Sequence, residues 1–363
     1  MTRVLHVVTS MGRAGLETML MNYFRHIDRD RIVFDFLVHR DGVYDYDEEI
    51  LALGGNIYHL PKLNPMDPGY LIKLNRFFAE HRYTIVHSHL DCMAGLPLKY
   101  AMKNGVPVRI AHAHSSNQMH DLKYPIKLFY KANIGRYANE FMACSEAAGR
   151  WMFGDKLFSV LKNGIDTERF AWDPPTAERV RDKLRIPQNA LLAGHVGRFT
   201  AEKNHSFLLE VFAEIRRKRP DAMLMLVGDG VLKSKTEEKA SQMGVGDSVR
   251  FMGVRSDVNE LLQAMDLFIL PSLFEGLPLT LLEAQTSGVP CLISDRVPAE
   301  SVVTEGLAEI MPLEESAERW AEKAVSMTGG IRTSRAAEVS AHGYDARQNV
   351  KWLEEYYLDK ARR

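Results

Sequence analysis

Short apolar runs rich in β-formers lie at 4–8, 33–38, 57–60, 85–87, 108–111 and 141–144, each separated from the next by an amphipathic stretch. That rhythm constrains the fold more than any other feature. Strands alternating with helical-period segments build βαβ units and a parallel sheet, whose ligands sit at the strands' carboxyl ends. The rhythm then restarts. After a polar, proline-bearing segment, Ile165-Asp-Thr-Glu-Arg-Phe-Ala-Trp-Asp-Pro-Pro175, new runs come at 191–196, 223–227, 249–252, 267–270 and 290–293. A chain of 363 residues exceeds what one hydrophobic core holds. The expected class is α/β, with two Rossmann-like parallel-sheet domains and a cleft between them.

Composition removes several function classes. Lys and Arg number 46 against 47 Asp and Glu, a net charge of −1, so nucleic acid is not an expected partner. Cys92, Cys144 and Cys291 sit in or beside apolar runs. An odd number of cysteines in such settings points to buried thiols in a reducing compartment, and none has zinc-ligand spacing. The opening Met1-Thr-Arg-Val-Leu-His-Val-Val-Thr9 reads as a first strand rather than a signal peptide. No run of 18 apolar residues suggests a membrane span. The expected location is the cytoplasm.

The sharpest chemical signal is Glu275-Gly-Leu-Pro-Leu-Thr-Leu-Leu-Glu283, which follows the apolar run Leu267-Phe-Ile-Leu-Pro-Ser272. Gly276 and Pro278 break regular structure and leave Glu275 on a loop, while a helix over 280–287 closes at Gly288. Glu283 then sits in the first turns of that helix. Unpaired N–H groups at its start suit a diphosphate, and carboxylates on either side can accept hydrogen bonds from hydroxyls. A second turn, Gly197-Arg198-Phe-Thr-Ala-Glu202-Lys203-Asn204, follows the run at 191–196 and opens a helix at about His205. A glycine turn with Arg198 and Lys203 suits two phosphate oxygens.

Taken together, these residues resemble the retaining nucleotide-sugar glycosyltransferases of the GT-B type, family 4, whose hallmarks are the E-x7-E pair and an upstream G-R with a lysine. The resemblance runs through Gly15-Leu-Glu17, Val86-His-Ser-His89, His112-Ala-His114, Asn163-Gly-Ile-Asp166, Gly197-Arg198, Leu226-Val-Gly-Asp-Gly230, Phe251-Met-Gly253 and the Glu pair. The opening Thr9-Ser-Met-Gly-Arg-Ala-Gly-Leu-Glu17 is similar to exopolysaccharide-biosynthesis members of the EpsF kind. It implies domains at 1–168 (acceptor) and 169–344 (nucleotide sugar), hinged near 165–175, with a terminal helix at 345–363 crossing back to the first. It also implies transfer of a sugar, with retention, from a UDP-linked donor to a polysaccharide or lipid-linked glycan. His114 would contact the sugar, with His112 as the register alternative. Arg198 and Lys203 would meet the diphosphate, Glu275 the sugar hydroxyls and Glu283 the ribose. Gly15, Gly197, Gly228, Asp229, Arg255, Gly276, Leu277, Pro278 and Leu279 would line the donor. No cofactor and no metal are expected. The rival readings are a UDP-sugar 2-epimerase of the same architecture and a non-enzymatic nucleotide-binding partner in glycan assembly.

Blander readings compete for the remaining motifs. Gly12-Arg-Ala-Gly15 lacks the three-glycine spacing of a dinucleotide fingerprint, and Glu17 at a helix start favours the dipole without any ligand. His87/His89 and His112/His114 end successive runs, and strand alternation points the members of each pair the same way. Four imidazoles could ligate a metal, but only Asp91 supplies a nearby carboxylate, so backbone-satisfied His87 and His112 are the favoured reading. Asp45-Tyr-Asp47 and Asp28-Arg-Asp30 match a metal-binding D-x-D pattern, yet lie in polar loops as solvated acids. Finally, Lys123, Lys127, Lys131 and Arg136 alternate with Leu122, Ile126, Phe129 and Tyr130. Such a helix is either a solvated face with a core stripe or a surface for an anionic membrane, which would place the protein at the inner face of the plasma membrane.

Overall fold

The computed structural model describes residues 1–115 and 124–362. It divides into two compact units, one of residues 1–164 with the C-terminal helix, the other of Ile165–Asp345. The division thus falls at 164/165 and 345/346.

In the first unit seven strands form one parallel sheet: β1 (Thr2–Val8), β2 (Ile32–Val38), β3 (Ile57–His59), β4 (Ile85–Ser88), β5 (Val108–Ala113), β6 (Glu140–Ala143) and β7 (Ser159–Val160), in the order β3-β2-β1-β4-β5-β6-β7. Every residue of β2 is buried, as expected where helices cover both faces. The one charge in that strand, Asp35, is used: its carboxylate accepts bonds from Arg3 Nε (2.7 Å), the Asn56 backbone N–H (2.7 Å) and Tyr83 Oη (2.8 Å).

The second unit repeats the plan with β8 (Leu192–Val196), β9 (Met223–Val227), β10 (Val249–Gly253), β11 (Leu267–Leu270), β12 (Cys291–Ser294) and β13 (Ala308–Met311), ordered β10-β9-β8-β11-β12-β13 and parallel throughout. In both sheets the strand order reverses once, between β1 and β4 and between β8 and β11. That switch point is where α/β sheets open a crevice for ligands. Short β7 and the edge strand β13 are additions to the sequence-based strand set.

The C-terminal helix Ala346–Ala361 packs against the helix Gly15–His26 of the first unit. Tyr357 is fully buried, Glu354 accepts from the Asp28 N–H, and Lys360 and Tyr356 both reach the Glu140 carboxylate. All three cysteines are buried free thiols. No helix among the described residues is long and apolar enough to cross a membrane.

Candidate active site: two switch points with different chemistry

In the second unit the turns after β8 and β11 carry the predicted residues and are tied to each other. The Leu273 N–H donates to the Glu202 carbonyl at 2.7 Å, and Asn204 Nδ2 to the Pro271 carbonyl at 3.2 Å. Asn204 takes the left-handed conformation (φ 54°) and starts the helix His205–Lys218, a backbone state asparagine tolerates better than most residues. Lys203 Nζ and Ser272 Oγ each bond Glu275 Oε1 at 2.6 Å. The pair is mostly buried, with side chains 16% and 10% exposed. Lys203 and Glu275, read separately in the sequence, therefore form one ion pair at the switch point.

Close packing explains the glycines. A Cβ at Gly228, whose φ is +136°, would lie 2.1 Å from the Gly197 carbonyl oxygen, and one at Gly197 would crowd His195 Nε2 at 2.9 Å. Gly15 and Gly276 differ: a Cβ at either meets nothing within 4 Å, so packing does not require glycine there.

The helix after β11 runs Leu279–Thr286 with Pro278 at its N-cap. Among the described residues the N–H groups of Gly276, Leu277, Leu279 and Thr280 donate to no carbonyl, and those of Leu279 and Thr280 belong to the first turn, at the positive end of the helix dipole. Glu283 is buried at 6% exposure, and no described residue hydrogen-bonds its carboxylate. Burial lifts its carboxyl to about 7, opposed by the charge of Arg169. Arg169 itself is exposed and donates to the Ser256 carbonyl at 3.0 Å.

Around this centre the other predicted residues divide. Arg198 is exposed and makes no hydrogen bond through its guanidinium among the described residues, whereas the Arg255 guanidinium is held by both oxygens of Asp257 at 2.8 and 2.6 Å. Asp229 is exposed, and its Oδ1 accepts the Gly230 N–H at 2.7 Å. Ser272, Asn204 and Arg169 went unread in the sequence. Ser272 closes the Leu-Pro-Ser turn three residues before Glu275, a hydroxyl position that could have signalled its role.

The first unit brings five imidazoles to the other switch point. His6 Nδ1 lies 2.9 Å from His89 Nε2, and His89 Nδ1 lies 2.9 Å from His114 Nε2. His87 Nε2 meets His112 Nδ1 at 3.1 Å, while His87 Nδ1 meets Tyr357 Oη at 2.6 Å. The rings of His87 and His89 lie 4.2 Å apart, those of His112 and His114 4.0 Å, so each pair does share a side of its strand. The backbone-satisfied reading of His87 and His112 is corrected: these rings bond each other and a tyrosine. The reason is that β1, β4 and β5 are neighbours, which the sequence order conceals.

Burial pushes His6 and His114 down to about 3, and drives His87, His89 and His112 well below 6.5, with neighbouring imidazoles adding to the effect. All five are neutral near pH 7. Ligand atoms of His6, His87 and His89, and of His89, His112 and His114, lie within 4.8 Å of one another, so these residues could hold a metal. Each inter-ring contact, however, already has hydrogen-bond length. Asp91 Oδ1 accepts the His114 backbone N–H at 2.7 Å, and burial lifts its carboxyl to about 6 against that bond.

Two further sequence readings change. Asp47 is buried rather than solvated, its carboxylate accepting the Tyr44 N–H at 2.9 Å as its helix starts. Leu122 and Lys123 lie outside the described residues. In the helix Tyr124–Ala132 that follows, Tyr130 is buried and Lys131 Nζ sits 3.9 Å from the centre of the Trp151 ring, while Leu128 and Phe129 are exposed.

Two doubly wound parallel sheets of this kind define the GT-B architecture of glycosyltransferases. The chain belongs to glycosyltransferase family 4: residues 13–169 match the model of Glycosyltransferase Family 4, and residues 176–327 that of Glycosyl transferases group 1. It is 36% identical to EpsF of Bacillus subtilis (strain 168), named as a glycosyltransferase, over 98% of this chain and 96% of that one. It is also 29% identical to the UDP-Gal:alpha-D-GlcNAc-diphosphoundecaprenol alpha-1,3-galactosyltransferase of Escherichia coli, over 62% of this chain and 61% of that one. Among solved structures, HepE of Anabaena in complex with UDP-glucose shares the fold, with a TM-score of 0.77 at 18% identity over 99% of this chain and 100% of that one.

Proposed function

We propose that this glycosyltransferase moves a sugar from a UDP-linked donor to a polysaccharide or lipid-linked glycan with retention of configuration and no metal ion. The observation that carries the reading is the union, at one switch point, of the Lys203–Glu275 pair, the N–H groups of Gly276, Leu277, Leu279 and Thr280 that donate to no carbonyl, and the Glu283 carboxylate, which no described residue hydrogen-bonds. Transfer demands that a departing diphosphate be stabilised as charge develops on the sugar ring, and fixed cations and N–H dipoles do this without reorganisation. Lys203, Arg198 and the helix start at Leu279 supply that field, so a divalent cation is not required. Glu283 accepts the ribose hydroxyls, and burial prepares it to do so, because a partner hydroxyl replaces a missing hydrogen bond. Glu275 meets the sugar hydroxyls through the oxygen that Lys203 and Ser272 leave open. Gly197, Gly228 and Asp229 form the rim of this site with the backbone of Arg255. The UDP donor is supported by the names of the Escherichia coli relative and of HepE. The lipid-linked acceptor is supported by the former name alone, and in this reading the protein works at the cytoplasmic face of a membrane.

The test is incubation of the protein in chelator with UDP-hexoses and an undecaprenyl-diphosphate-linked acceptor. Proton NMR of the product should show the donor's anomeric configuration. An inverted product, or isomerised UDP-sugar without transfer, would overturn the proposal.

A further inference from the structure

The line His6–His89–His114 crosses three adjacent strands of the first unit, from β1 through the end of β4 to the end of β5. Its two contacts of 2.9 Å run Nδ1 to Nε2 each time. A neutral imidazole has one N–H and one lone pair. Three rings therefore carry three N–H groups, and the two contacts use two of them. The third must sit at an end of the line, on His6 Nε2 or on His114 Nδ1. Both of those atoms are buried and, among the described residues, lack a hydrogen-bond partner. Whichever end holds the proton, the other is a bare lone pair, so the two ends are coupled.

The surroundings of His6 decide between them. Its ring packs tilted by 55° against Phe34, 4.2 Å between centroids, and at 74° to Tyr357, 6.3 Å away. A buried N–H among aromatic rings gains a weak attraction to their π faces, whereas a lone pair meets the same electron density and is repelled. We infer that the third N–H sits on His6 Nε2, so that His89 Nε2–H donates to His6, His114 Nε2–H donates to His89, and His114 presents a bare Nδ1 as an acceptor for a substrate hydroxyl. His6 and His89 are positioning residues. The assignment of that hydroxyl to the reacting sugar rests on the function proposed above, while the tautomer itself does not.

The experiment uses the full-length protein labelled with 15N-histidine and freed of metal by chelator. Long-range 1H–15N correlation spectra at pH 7.5 should show His114 in the Nε2–H form alone. His6→Phe removes the terminal acceptor and should leave His114 as a mixture of tautomers, with kcat about three- to tenfold lower, the weight of one hydrogen bond, and KM for the UDP-sugar unchanged. His6→Asn, whose amide oxygen can accept from His89, should restore the single tautomer and the rate. An Nδ1–H or mixed His114 in the wild-type protein overturns the inference even if His6→Phe fails to fold. So does a His114 tautomer unmoved by His6→Phe. Full transfer by His114→Ala would instead defeat the role given to His114 in the reaction and leave the tautomer result standing.

Discussion

The two units share one strand order, yet their switch points carry opposite chemistry. At β1/β4 the side chains are neutral rings bonded to one another, and the C-terminal helix seals them with Tyr357. At β8/β11 they are charges: a buried lysine–glutamate pair, an exposed arginine and a buried carboxylate. Topology chooses where a ligand can approach, and the few residues after each strand choose what it meets. One fold repeated twice thus presents an edge of neutral imidazoles and an edge of fixed charge at the same topological position.

Acid should separate the units most strongly. His6, His39, His87, His89, His112 and His114 are held neutral in the first unit, against His195 and His205 in the second. A histidine whose folded pKa is depressed contributes full stability above its unfolded value near 6.5 and loses it as pH falls, because the unfolded chain binds the proton. At pH 5.5 each costs about 1.4 kcal/mol, giving about 8 kcal/mol in the first unit and about 3 in the second. The carboxylates act in the reverse sense. Asp91 and Glu283 have raised folded values of about 6 and about 7, so the folded form gains as pH falls through them. That offsets less than about 1 kcal/mol in the first unit and about 2 kcal/mol in the second. Hydrogen exchange between pH 7.5 and 5.5 should show the first unit opening while the second barely changes. Equal loss of protection would break the comparison.

Next in size, Lys203→Ala should destabilise the second unit by about 3 kcal/mol, because it leaves Glu275 buried with only the Ser272 hydroxyl. Thermal melts of Lys203→Ala, Glu275→Gln and the double variant measure the coupling, and strictly additive losses would mean that the pair acts as two separate surface charges. The two glutamates should then divide their effects. Glu283→Ala should weaken UDP binding by about 1.5 to 3 kcal/mol, whereas Glu275→Ala should lower transfer far more than UDP affinity. Equal losses of affinity would overturn that division. The smallest effect concerns the first unit's outer face. Lys127→Gln with Lys131→Gln should weaken cosedimentation with anionic vesicles by about 1 kcal/mol per charge at low salt and leave UDP affinity intact; unchanged cosedimentation would make this face ordinary surface.

Much of this was legible in the chain. Runs such as 33–38, Asp35 apart, and 267–270 are apolar because parallel strands are buried on both faces, and their spacing reveals the βαβ order. Gly197, Lys203 and Glu275 stand out because they follow strands at breaks in regular structure, and Glu283 because of its spacing from Glu275 into the next helix. What stayed hidden depended on lateral order. Nothing in the spacing of His6, His87 and His112 says that β1 lies beside β4 and β4 beside β5, so the sequence offers two pairs, four imidazoles in all, and leaves His6 out of the cluster. Likewise Lys203 and Glu275 lie 72 positions apart, and only the adjacency of β8 and β11 makes them partners. β13 was missed because Ala308-Glu-Ile-Met311 is a half-exposed edge strand with a single β-branched residue.

In the proposed function, fixed protein charge and helix N–H groups at the β8/β11 switch point hold the donor diphosphate. Calorimetric titration of the wild-type protein with UDP in excess chelator tests it most directly. Saturable binding without metal is expected, with UDP at 100 times its Kd stabilising the protein by about 2.7 kcal/mol in a parallel melt. Binding that vanishes in chelator and returns with manganese would contradict it.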